Sequence, residues 1–380
     1  MQFLGASAEE GPGDQYPFDL RPLLELSAEG RATVERLAGA IRTPLAAGDP
    51  RLHHYVARSY QARFAKQGEI VRVVLDEPIS REILPIKSVA VMKDLYTTIA
   101  KDVGETVAIE RIFAQVDGDF VRVLDHFISG EPWPPTREDR MALATWASLQ
   151  RVRTPTMRRQ FEVVADSLTK MQLSLITDED SARAHLRQIG IEPDELAVEA
   201  LLEAVANMDQ WEVVPHQNEM VRTMLDVGLH SMPYFLGRKV TVVRFPEEGL
   251  MISDNPVVMD VSAGTLTHGL GLGLATADEV WIPMNRSTAL VLHNDEGLEE
   301  VVVDAPLEFS VDELNQLIAS QAHREIYCHP DDVWRLDDLE LPHSRRPLLT
   351  MDGGDWVKAT ADGMNSPPTR RGHHRYRKER

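Results

Sequence analysis

Cysteine is nearly absent: Cys328 is the only one in 380 residues. An intrachain disulfide and a cysteine-based metal cluster are therefore excluded, and a reducing, cytoplasmic location is the expectation. There is no run of about 18 apolar residues, so no membrane-spanning helix is expected. The start, Met1-Gln2-Phe3-Leu4-Gly5, lacks the basic and long apolar regions of a standard secretion signal. Familiar catalytic signatures are missing as well: no His-Glu-x-x-His, no Walker lysine loop and no Gly-x-Ser-x-Gly. Gly269-Leu270-Gly271-Leu272-Gly273 has the wrong spacing for a dinucleotide-binding turn. Ser167-Leu168-Thr169-Lys170 and Ser253-Asp254-Asn255 imitate two of three β-lactamase-type elements, but no Lys-Thr-Gly follows.

What is present is an ordinary globular composition, 43% hydrophobic and 26% charged, in a chain long enough to bury a substantial core. The net charge of −20 is unevenly spread. The tail from Arg370 to Arg380 carries +5, leaving −25 on the remainder. A body that acidic repels duplex DNA at long range. The basic tail is either a solubilising end or a contact for an anionic partner.

Hydrophobic periodicity divides the chain. Residues 1–50 form an N-terminal extension with helical spacing from Ser27 to Arg42, residues 51–345 a single domain, and residues 346–380 a flexible basic tail. Within the domain, His53 and His54 stand at the mouth of a short amphipathic helix. The runs Glu69–Asp76 and Lys87–Met92 are β-rich and suited to pairing with each other. Helical spacing follows over Glu105–Phe127, Arg137–Arg153, Met157–Leu175 and Glu192–Leu229, the last interrupted near Pro215. Met208, Met220, Met224 and Met232 fit core filling. Short β-rich runs then occupy 239–245, 250–253, 256–261, 279–283, 288–293 and 299–303, and a helix over Val311–Tyr327 closes the domain. The expected class is α+β: a helical first part packed on a mostly antiparallel sheet, with a C-terminal helix.

Several short motifs follow one another along the chain: His53-His54-Tyr55-Val56 with Tyr60 and Phe64, Glu110 with Asp117, Arg153-Thr154-Pro155, Ser253-Asp254-Asn255-Pro256-Val257, Pro283-Met284 and Leu314-Asn315. Together they resemble an uncharacterised family, domain-of-unknown-function family 4238. Its signature begins His-His-Tyr-Val-Pro-x-x-Tyr-Leu-x-x-Phe. Ala57 and Gln61 depart from that pattern, and Asp117 stands where the family usually has Glu. The resemblance runs from about residue 51 to 328 and implies a unit boundary and a set of polar residues, with no established activity.

The chemistry of those residues admits two readings at each position. Adjacent histidines diverge on a helix or a strand, so His53 and His54 do not share one metal ion. Each is either a hydrogen-bonded anchor or, for His54 first, a general base, ligand or phosphate contact. Glu110 and Asp117, two helical turns apart, share a face. They either flank the apolar stripe in solvent or form a two-carboxylate acid/base or metal site. Asp254 and Asn255 make a structured turn or place an acid at a strand end. Arg153, with Arg151, Arg158 and Arg159, neutralises the surface or clamps an anion.

Two functions follow as expectations. One is a hydrolase, metal-assisted through a divalent ion or not, acting on a phosphodiester or phosphorylated small molecule, with a nucleotide-like ligand in scope. It would use His54, Glu110, Asp117 and Asp254 in catalysis and Arg153, Asn255 and His53 in binding. The alternative is a non-enzymatic binding or regulatory module, in which the same residues form a structural network and the tail recruits a partner.

Overall fold

The computed structural model describes residues 45–46, 49–100, 104–131, 133–260, 273–295, 297–305 and 309–341. Almost all of the expected N-terminal extension, the basic tail and the glycine-rich stretch at 269–271 lie outside these residues. The chain divides into two compact units. Of the described residues, one contains those up to Thr154 and those from Gln217 to Leu341; the other is Pro155–His216.

In the first unit the order is β1 (Leu52–His54), α1 (Arg58–Gln61), β2 (Glu69–Val74), β3 (Ser80–Pro85), β4 (Val91–Lys93), β5 (Thr98–Ala100), β6 (Gly104–Thr106), α2 (Ala108–Ser129) and α3 (Arg137–Val152). The second unit contributes α4 (Pro155–Leu173), α5 (Glu179–Gln188) and α6 (Glu195–Ala206). The first unit resumes with α7 (Gln217–Leu236), β7 (Lys239–Arg244), β8 (Ile252–Ser253), β9 (Val258–Asp260), β10 (Glu279–Asn285), β11 (Thr288–His293), β12 (Val301–Asp304), α8 (Val311–Gln321) and β13 (Glu325–Cys328). This is an α+β fold. Among the described residues, no helix is long and apolar enough to cross a membrane.

Two larger sheets carry the strands of the first unit. One has the order β12-β7-β11-β10-β9, antiparallel except for the parallel pair β12–β7. The other has the order β3-β2-β13-β8 and is antiparallel throughout. The first of these is hydrophobic on both faces at its centre: Val240, Val242, Leu290, Leu292, Val280 and Ile282 are buried, and so are Val291 and Trp281 on the opposite side. Against the second sheet, Ala319 and Ala322 pack with Val71, Val73, Ile326 and Cys328 in a smaller core.

The helices begin where local chemistry allows. Thr136 and Asp139 form a reciprocal capping box at the start of α3, satisfying two otherwise orphaned N–H groups. Helix α2 ends at Gly130, whose φ of 72° is left-handed and suits glycine. Within the second unit, Asp178 and Asp194 cap α5 and α6. Ile176, Ala182, Leu186 and Val198 make that unit's own small core.

Three local expectations change. The two histidines do not open a helix: Leu52–His54 is a strand paired with β4, and the helix begins only at Arg58. Glu69–Val74 pairs with Ser80–Pro85 rather than with 87–92, because Ile86–Ser88 turns as a 3-10 segment and hands Val91–Lys93 to β1. The closing helix stops at Gln321, and its expected last residues form β13. The β-branched and aromatic Ile326 and Tyr327 fit a buried central strand better than a helix end.

The resemblance motif also acquires a structural role. Tyr60 and Phe64 are fully buried. Tyr60 packs 5.1 Å from Trp146, whose indole stacks on Phe120 at 3.9 Å, and its hydroxyl donates to the Pro283 carbonyl at 2.5 Å. Met220, Met224 and Met232 of α7 are buried as core filling. Helices α3 and α7 meet closely at Gly228, where an added Cβ would lie 2.9 Å from Leu149 Cδ2 and 3.0 Å from Val152 Cγ2. Gly228→Val should therefore lower stability by about 1–3 kcal/mol through overpacking. A thermal midpoint unchanged from the parent would show that the two helices can separate without cost.

Candidate functional site

The alternation of a β-strand sends His53 and His54 to opposite sides of β1. His53 is fully buried and stacks on Tyr96 with ring centroids 5.6 Å apart. Its Nδ1 accepts the Tyr96 backbone N–H at 2.9 Å, which leaves Nε2–H to donate to the Pro50 carbonyl at 3.1 Å. Both nitrogens are thus engaged in holding the segment in place. Burial lowers the His53 pKa from 6.5.

His54 faces a different group. The Ile86 carbonyl meets its ring, while its Nε2 is buried without a hydrogen-bond partner in the protein. Burial lowers its pKa from 6.5, and the charges of Arg58 and Arg153 lower it further, against Asp117. Glu110, in the first turn of α2, accepts the His54 backbone N–H. Its Oε2 is also buried and unpartnered. Burial pushes the Glu110 carboxyl up to about 7, with Arg153 pulling down and Asp117 pushing up. His54 and Glu110 therefore share the same charged neighbours.

Those neighbours form a knot. Arg153, the residue that ends α3, has a side chain only 1% exposed. Its Nη1 and Nη2 donate to the two Asp117 oxygens at 3.1 and 2.8 Å. Its Nε donates to Gln150 Oε1 at 3.0 Å, and its Nη2 reaches the same oxygen. The Phe113 ring lies 5.2 Å from the guanidinium carbon. Gln150 Nε2 donates to the Tyr55 carbonyl at 2.7 Å, and the Tyr96 hydroxyl donates to the Arg153 carbonyl at 2.9 Å. A cation at the C-terminal end of a helix is favoured by the helix dipole. Here it also ties α2, α3 and the β1 segment together.

Of the residues singled out in the sequence, His54, Glu110, Asp117 and Arg153 gather in this cluster, with His53 on the far side of the strand. Asp254 and Asn255 belong to another group. The Asp254 carboxylate accepts the backbone N–H groups of His323, Arg324 and Glu325 at 2.9, 2.7 and 3.1 Å, so its oxygens are taken up in joining β8 to β13. Burial raises it to about 7, against those three donors. Asn255 closes a turn with Ser253, its N–H donating to Ser253 Oγ at 3.2 Å. Around Asp254, Glu325 Oε2 receives the hydroxyls of Tyr55 at 3.0 Å and Tyr327 at 2.5 Å. Arg158 and Arg159 lie in the second unit, where both pair with Glu162, at 3.4 and 3.0 Å.

Sequence patterning overlooked Gln150, Tyr96 and Glu325. For Gln150 a signal existed: it falls on the same helical stripe as Leu143, Trp146 and Ala147, all buried, and a lone amide on an apolar stripe calls for a buried partner. Tyr96 and Glu325 come from turns and strand pairings that periodicity does not encode. Among the described residues, no group of three or more His, Cys, Asp or Glu is placed to hold a metal ion.

Two measurements probe the cluster. Asp117→Asn strands a buried guanidinium and should cost about 3–5 kcal/mol in urea unfolding, whereas adding Arg153→Met to it should recover part of that loss. If the double variant is no more stable than Asp117→Asn, the pair does not set the cost. Glu110 binds its proton more tightly folded than unfolded, so its contribution is complete below 4.5 and is lost as pH rises through about 7. His54 acts oppositely, its share fading as pH falls below 6.5. Glu110→Gln should therefore remove a decline of up to about 1.4 kcal/mol per pH unit over that window. A parallel pair of stability-versus-pH curves would contradict the raised carboxyl.

No curated protein and no solved structure matches the chain. A family model does, over residues 52–332, spanning β1 to the 3-10 segment that follows β13. The chain belongs to the family described as protein of unknown function (DUF4238).

Proposed function

We propose that this protein is a hydrolase acting on a phosphodiester, with His54 as general base and Glu110 as general acid. The observation that carries the proposal is the pair of buried, unpartnered atoms, His54 Nε2 and Glu110 Oε2, in groups that share Arg153 and Asp117 as neighbours. Near neutral pH a carboxyl raised to about 7 keeps much of its proton, while a histidine lowered from 6.5 is mostly neutral. That combination gives an acid and a base at the same pH. His54 Nε2 takes a proton from the attacking water as its oxygen bonds to phosphorus. Glu110 gives its proton to the leaving alkoxide, and the products are a phosphomonoester and an alcohol.

The cations bear on the choice of substrate. Arg153 is engaged by Asp117 and Gln150, so its role is to position rather than to clamp an anion. Arg58 acts on His54 by charge and forms no ion pair with a described residue. One available cation suits a singly charged phosphodiester better than a doubly charged phosphomonoester.

The test is turnover of bis(p-nitrophenyl) phosphate against pH. A bell is expected, with its acid limb set by His54 below 6.5 and its alkaline limb by Glu110 near 7. His54→Ala and Glu110→Gln should each cost roughly 100- to 10,000-fold, and Glu110→Gln should erase the alkaline limb. A folded parent chain that hydrolyses neither this diester nor p-nitrophenyl phosphate would sink the enzymatic reading. The same polar residues would then stand as the structural network of a binding module.

A further inference from the structure

Away from the His54 cluster, the five-stranded sheet carries a second chain of polar side chains. Glu279 on β10 lies directly opposite His293 on β11. His293 in turn lies directly opposite Lys239 on β7, and Thr241 follows two residues after Lys239. Residues paired across an antiparallel ladder share a face, as do residues two apart on a strand. Glu279, His293, Lys239 and Thr241 therefore occupy one side of three adjacent strands.

Their contacts form an ordered line. Glu279 Oε1 lies 3.2 Å from His293 Nδ1, and His293 Nε2 lies 3.1 Å from Thr241 Oγ1. Glu279 Oε2 is fixed by the Trp281 indole N–H at 2.9 Å. The hydrogen bond from His293 holds the Glu279 carboxyl below its ordinary range, so near neutral pH it is an anion and an acceptor only. An anion at Nδ1 places the imidazole proton there and leaves the Nε2 lone pair facing the hydroxyl. This is the acid–histidine–hydroxyl order that activates a nucleophile.

We propose that Thr241, His293 and Glu279 form a second reactive centre, which takes acyl groups from small activated esters. Thr241 Oγ bonds to the ester carbonyl carbon while its proton passes to His293 Nε2. The carbon–alkoxide bond breaks, and the leaving alkoxide takes that proton and departs as an alcohol. Water then attacks the acyl-threonine, giving its proton to His293, which returns it to Thr241 Oγ as the carboxylic acid leaves. Lys239, on the same face, supplies positive charge for the oxyanion formed in each step. Access sets the size of the acyl group. The His293 side chain is 18% exposed and Thr241 8%, so acetyl-sized groups fit the requirement and bulky ones do not.

The experiment uses the full chain with p-nitrophenyl acetate, following nitrophenolate release and mapping acetyl groups by peptide mass spectrometry. Acetylation at Thr241 is expected in the parent and absent in Thr241→Val, which keeps the side-chain shape. Glu279→Gln and His293→Gln should slow release roughly 100- to 10,000-fold, with circular dichroism confirming that each variant is folded. Equal release by the parent and Thr241→Val, or acetyl groups found only on lysines, overturns the proposal. The site of the label separates this centre from the one at His54, whose own test uses a phosphodiester and leaves no acetyl group.

Discussion

A positive charge with almost no access to water organises the first unit. The Arg153 guanidinium would be very costly to bury alone. Asp117 neutralises it from α2, Gln150 accepts from it one turn back on α3, and Phe113 covers it. Two of the groups around it have further attachments. Gln150 holds the Tyr55 carbonyl and Tyr96 holds the Arg153 carbonyl, while the Tyr96 N–H holds His53. The strand bearing the two histidines is therefore set in register by the same contacts that solve an electrostatic problem. The Pro155 that follows Thr154 prevents α3 from running on, so the guanidinium sits at a helix end, where the dipole favours it.

The His54 and Glu110 atoms that lack partners owe their character to this knot. Arg153 and Asp117 act on both groups with opposite signs, so burial decides the direction of each shift. It raises the carboxyl and lowers the imidazole. Two groups whose ordinary values differ by about two units are thereby reversed in order, the carboxyl raised to about 7 and the imidazole lowered from 6.5. A net charge in the cluster would move both groups in the same direction and leave that order to burial.

The strands and helices were largely legible where periodicity is long. The segments around α2, α3, α4 and α7, and most strands from β7 to β12, lie within a few residues of the runs that patterning picks out. Partner choice was not legible. Residues 87–92 are as β-rich as 80–85, but which run meets β2 is decided by the turn at Ile86–Ser88. For the same reason the histidines looked like a helix start: the Arg58–Gln61 helix is real, but the pairing of His53 with Met92 fixes the residues before it as strand. The grouping of Glu110 with Asp117 follows from helical spacing, whereas the resemblance motifs single out Arg153 without stating that it meets them. Asp254 shows the limit of residue type as a guide, because three backbone N–H groups occupy it and no pattern in the sequence states where those donors come from.

The link between Tyr55 and Glu325 joins residues 270 apart in the chain. A ribosome adding about 5–20 residues per second needs roughly 15–50 seconds to cover that distance. For most of that interval β2 exists without β13, and throughout it Tyr55 lacks the carboxylate that receives its hydroxyl. The second unit is made within the same interval, with a core formed from its own residues. The order of synthesis thus gives the helices of the second unit time to fold before β13 completes the four-stranded sheet of the first. Until β13 is made, the edge of β2 that it pairs with is open.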